Sequence, residues 1–116
     1  MPDQEYLDTW AAYLKAWSGV SPAERQELVS RCANEECVYT EPASECHGRR
    51  ELIDRMARSQ QQYPGAYFEN EKLISHHSQG LFRWTMYHAT GAVLAPGVSF
   101  ARFDERGRLS QMGGFF

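Results

Sequence analysis

The chain has no long apolar run, no basic run and no paired-cysteine spacing, and each absence removes a class of function. No segment approaches the ~20 apolar residues of a membrane span, and the opening MPDQEYLD is acidic and polar, so a soluble, cytoplasmic protein is expected. Twelve basic against fifteen acidic side chains leave a net charge of −3, without the positive surface on which nucleic-acid binding depends. Cys32, Cys37 and Cys46 are an odd number with no CxxC, which argues against a disulfide framework and fits a reducing compartment. Cys46 and His47, with His76 and His77, have the residue types of a zinc site but lack its tight paired spacing, so no metal is expected. No repeat, linker or low-complexity stretch divides the chain.

What is present is enough for one core. The 116 residues are 42% apolar and 13% aromatic, with six Tyr, six Phe and three Trp. Burial of that content offsets the entropy of ordering, and a single domain over residues 1–116 is expected.

From Glu5 to Ser18, the apolar residues Tyr6, Leu7, Trp10, Tyr13, Leu14 and Trp17 recur at three- and four-residue steps, predicting a helix with an aromatic face. Gly19 ends it. Ser21-Pro22 followed by Glu24 reads as an N-cap, a first-turn proline and a first-turn acid for a second helix to about Ala33. Glu36 to Thr40 predicts a short strand that Pro42 terminates. After a turn, ASECHG, the spacing of Leu52, Ile53, Met56 and Tyr63 predicts a third helix over Arg49 to Tyr63, stopped by Pro64-Gly65. The period then changes. AYFENEKLISHH, LFRWTMYHAT, AVLAPGVSFARFD and GRLSQMGGFF predict four strands with short turns, an antiparallel meander. Helices first and a meander last predict an α+β fold, helices on one face of a curved sheet.

Within that frame Tyr39 and Glu41 share one strand face, and Phe82, Trp84, Met86 and His88 share another. The latter set reads as a pocket wall or simply as core. Glu41, an acid at a strand end before proline, is either a solvated turn residue or a base at the mouth of an apolar pocket.

The order of two helices, ECVYTEP, an HG turn into a third helix, and a meander ending in FDERGRLSQM resembles the nuclear transport factor 2-like superfamily, including its SnoaL-like and ketosteroid isomerase branches. The resemblance spans nearly the whole chain; YTEP and RFDERGRL are its best local signatures. It implies a cone-shaped α+β barrel, three helices on a curved, mostly antiparallel sheet around an apolar pocket. It also implies a homodimer through the outer sheet face, where Val98 and Phe100 would stand beside Arg83, Thr85 and Tyr87.

The same resemblance implies that Glu41 occupies the place of the isomerase branch's general base, a carboxylate that takes a proton from carbon beside a carbonyl and returns it elsewhere. Tyr13 matches the tyrosine that polarises the carbonyl. The second donor, a protonated acid, corresponds to Ser99, whose hydroxyl donates a hydrogen bond but cannot imitate a neutral carboxylic acid in an apolar site. SnoaL-like cyclases pair an acid with a histidine, and His88 or His77 is the candidate here. The Asp-Arg-Asp set of the epoxide hydrolase branch is not apparent.

The expectation is therefore a small apolar ligand in a pocket lined by Trp17, Tyr39, Met56, Phe82, Trp84, Met86, Met112 and Phe116. On it, Glu41, Tyr13, Ser99 and His88 would carry out cofactor-free proton transfer. The alternative is a ligand-binding or dimerisation module of the same fold without catalysis.

Overall fold

The computed structural model describes residues 2–116; residue 1 of the expected domain lies outside them. The elements, in order, are α1 (Pro2–Ala16), α2 (Pro22–Cys32), β1 (Ala33–Glu41), β2 (Ser44–His47), α3 (Gly48–Gln62), β3 (Tyr67–His76), β4 (Gln79–Tyr87), β5 (Val93–Phe103) and β6 (Leu109–Phe115). The strands form one sheet in the order β2-β1-β6-β5-β4-β3. Every neighbouring pair is antiparallel except β1 with β6. The sheet is curved but not closed, with β2 and β3 as its edges, and the helices pack on it as an α+β fold of the expected kind.

The aromatic stripe of α1 is what joins helix to sheet. Trp10 stacks on Phe82 of β4 at 4.1 Å, and Tyr6 on Phe103 of β5 at 4.2 Å. Such contacts add to the large area these rings remove from water. The Ser21 hydroxyl caps α2 by accepting the Glu24 N–H at 3.1 Å.

Arg25 is a residue whose place the spacing did not disclose. It is buried, and its guanidinium donates to the carbonyls of Ala16 at 2.9 Å, Ser18 at 3.0 Å and Val20 at 3.3 Å. The Ser18 carbonyl also accepts the Val20 N–H at 2.9 Å, so one buried side chain ties together three carbonyls at and beyond the end of α1 and fixes the α1–α2 corner.

Two strand assignments differ from expectation. β1 runs nine residues rather than five, and ASECHG is not all turn. Its SECH segment is β2, paired with β1 from Val38↔His47 to Glu41↔Ser44 around the two-residue connection Pro42-Ala43. Proline thus ends β1 by opening a hairpin, which fixes Glu41 as the last paired residue of its strand.

Candidate functional site

A cavity of about 130 Å³ lies between the helices and the inner face of the sheet. Trp10, Trp17, Tyr39, Phe68 and Trp84 form most of its aromatic wall. Of the residues expected in the pocket, Trp17, Tyr39, Trp84, Met86 and Phe116 line it, as do the expected donors Tyr13 and Ser99. Phe116 does so at the mouth, 61% exposed and edge-on to Trp84 at 5.8 Å.

Glu41 is no solvated turn residue. Its side chain is 1% exposed, with Oε2 at 3.4 Å from Nη2 of Arg55 on α3 and Oε1 without a hydrogen-bond partner among the described residues. Nor is it a wall residue. Tyr39, Arg55 and Gly114 form the wall beside it, and a Cβ on Gly114 would stand 3.5 Å from that of Glu41. Arg55 is 19% exposed, its Nε has no acceptor among the described residues, and its guanidinium carbon lies 5.9 Å from the Trp17 ring centre. An ion pair with one long contact and two unpartnered buried atoms is therefore set against the cavity.

The neutral donors are held in their protonated forms. Burial pushes the Tyr13 phenol well above its ordinary value, and the neighbouring Tyr39 adds to the effect. Burial, then the charge of Glu41, pushes Tyr39 up in turn. The Ser99 oxygen accepts the Trp84 Nε1–H at 2.9 Å, which leaves its own O–H free to donate.

Several expected site residues stand elsewhere. Phe82, Met56 and Met112 are wholly buried in packed core and do not line the cavity. Phe82 lies beneath Trp10, which takes the wall position instead. Periodicity gives the face a residue occupies but not its depth. His88 falls beyond the end of β4 in an exposed turn, where Nδ1 accepts the Thr90 N–H at 3.1 Å, so it is not brought to Glu41. His77 lies in the exposed turn between β3 and β4, its Nδ1 3.1 Å from that of His76. Cys46-His47 and His76-His77 belong to opposite edges of the sheet.

Reading for aromatic pocket walls missed the contribution of α3. Arg55, Ser59 and Gln62 line the cavity from positions that share one helix face, and Tyr63, just past the helix end, joins them. The available signal was Arg55 itself, three residues after the buried Leu52 and so a charge beside an apolar stripe.

Residues 5–112 match the family model described as the SnoaL-like domain. No curated protein matches the chain in sequence. Among solved structures, the chain is similar to a SnoaL-like family protein of Agrobacterium tumefaciens provisionally named an isomerase. Identity is 23%, 97% of each chain is covered and the TM-score is 0.89. A protein of Sinorhizobium meliloti provisionally named a polyketide cyclase is 12% identical over 92% of this chain and 93% of its own, with a TM-score of 0.74. A SnoaL-like protein from Jannaschia, also provisionally named a polyketide cyclase, is 10% identical over 97% and 85%, with a TM-score of 0.79.

Proposed function

The chain belongs to the SnoaL-like domain family, and from that premise we propose that it binds a small apolar carbonyl compound and moves a proton on it without a cofactor, as an isomerase or aldol-type cyclase. One observation carries the reading: a carboxylate, Glu41, is withdrawn from water at the end of β1, with one oxygen unpartnered, against an aromatic cavity. A desolvated base in an apolar site is what proton abstraction beside a carbonyl requires. Tyr13 from α1 and Ser99 from β5, both lining the cavity, supply hydroxyl donors for the carbonyl oxygen.

A second reading is favoured by a separate feature. Arg55 holds one oxygen of Glu41, and Glu41 does not itself line the cavity. In that reading the cavity binds an apolar ligand and does no chemistry. Two assays separate the readings. Titration of small ketones against the fluorescence of Trp10, Trp17 and Trp84 detects binding in either case. Exchange of the ketone's α-hydrogens in D₂O above the buffer background occurs only if a base acts on the bound molecule.

We also propose a homodimer through the outer sheet face. Ile74, Leu81 and Phe100 lie in one cross-strand row and Val98 pairs with Phe115 in the next, leaving Ile74, Leu81 and Phe115 exposed. Light scattering that returns the mass of one chain would contradict this.

A further inference from the structure

We infer that Arg55 is a catalytic residue, the cation that receives the negative charge when the bound carbonyl compound loses its proton, and that this compound is of single-ring size. The inference rests on the proposed proton transfer by Glu41.

Among the described residues, Arg55 is the one charged residue in the cavity wall. A guanidinium carries five N–H donors, yet among the described residues only Nη2 reaches an acceptor, Glu41 Oε2 at 3.4 Å. That is longer than the roughly 2.7–2.9 Å of a well-made charge-assisted bond. Nε is buried with nothing to donate to, and the Trp17 ring lies near the guanidinium. A substrate oxygen entering the cavity meets a cation that is mostly desolvated, loosely engaged and short of an acceptor.

The charge balance identifies what that oxygen becomes. At rest Glu41 is negative and Arg55 positive. Glu41 Oε1 takes a proton from the carbon beside the carbonyl; the C–H electron pair becomes the C=C bond, and the C=O pair moves onto oxygen. Glu41 is then neutral and the enolate is negative, so Arg55 exchanges one anionic partner for another and the net charge stays at zero. In a substrate that carries a further C=C conjugated with the enolate, return of the proton to the far carbon shifts that double bond, re-forms the carbonyl and restores the original pair. No uncompensated charge arises in a site of low dielectric. Ser99 and Tyr13 assist only as neutral donors.

Size follows from volume. A cavity of about 130 Å³ is comparable with the engineered cavities of about 150 Å³ that accept benzene, so what it encloses is of single-ring size.

The test uses 4-nitrophenol, one ring bearing an ionisable oxygen whose anion is coloured and resembles an enolate. Its affinity and ionisation are followed by absorbance against pH with the wild-type protein, Glu41→Gln, Glu41→Gln/Arg55→Met and Glu41→Gln/Arg55→Lys. The double variants bury no unpaired carboxylate, and circular dichroism checks their folding. The expected result is that Glu41→Gln binds the anion at least tenfold more tightly than Glu41→Gln/Arg55→Met, with Arg55→Lys recovering part. Equal anion affinity in these variants overturns the inference, as does failure of every protein to bind the probe. The base reading fails separately: if anion affinity does not rise from wild type to Glu41→Gln, the Glu41 charge is not beside the bound oxygen, and the Arg55 comparison still decides this inference.

Discussion

The Trp84 indole lies so close to Gly97, its partner on β5, that a methyl group at position 97 would stand 2.2 Å from the ring. Only a residue without a Cβ lets the indole lie there, lining the cavity and donating to Ser99 two residues along β5. Gly97→Ala must push the ring out of place, costing about 1–3 kcal/mol of overpacking. Urea unfolding should show that loss, and ring-sized ligands should no longer quench tryptophan fluorescence. An unchanged midpoint with unchanged binding would mean that the indole has room to move.

Removing one member of the Glu41–Arg55 pair should cost far more than removing both. Arg55→Met leaves a carboxylate buried without a cation, a loss of about 3–5 kcal/mol, whereas Glu41→Gln/Arg55→Met should recover most of it. Denaturant midpoints of the two variants make the comparison. Equal destabilisation would show that Glu41 finds water when Arg55 is gone.

Alkaline pH should loosen the fold in a defined window. Burial pushes the Cys32 thiol from 9.0 up to about 12, so above pH 9 the folded chain keeps a proton that the unfolded chain has shed. Stability from this group is complete below pH 9 and is lost as pH rises to about 12. The Tyr13 and Tyr39 phenols are raised as well and act in the same direction. Unfolding free energy measured across that range should fall, less steeply in Cys32→Ala. A slope identical in the variant would remove Cys32 from the account.

Acid should act through Asp104. Burial raises its pKa, but the Arg108 N–H at 2.9 Å, the Asn34 amide at 3.2 Å and the Arg106 N–H at 2.9 Å outweigh that and hold it below 3.8. The stabilisation is present above pH 3.8 and is lost as pH falls through the lower folded value. Asp104→Ala should cost about 1 kcal/mol at neutral pH and less near pH 2, by thermal unfolding at both. An equal loss at the two would show that the charge is irrelevant.

The contacts of Asp104 also account for part of what was legible in the chain. RFDERGRL is a turn in which one carboxylate ties two N–H groups of its own loop to Asn34 on β1, so the motif marks the fold rather than the chemistry. The α1 stripe, the Ser21 cap and the Glu41-Pro42 strand end were likewise legible, because each is a local rule of spacing, capping or missing N–H. The parallel pairing of β1 with β6 and the SECH strand were not, since β pairing depends on distant partners and SECH has neither alternation nor β-branched residues. The roles of Arg25 and Arg55 were hidden for a related reason: an arginine is ordinarily solvated, and only the folded chain supplies the carbonyls or carboxylate that keep it inside. His88 shared the parity of the cavity face, but β4 stops one residue before it.

Proton transfer by Glu41 is tested most directly by α-hydrogen exchange of a small cyclic ketone in D₂O, followed by proton NMR with wild type and Glu41→Gln. Exchange above background is expected with the wild-type protein, at a rate at least about 10²-fold lower in the variant, the usual range for loss of a general base. Exchange at the wild-type rate in Glu41→Gln would contradict it.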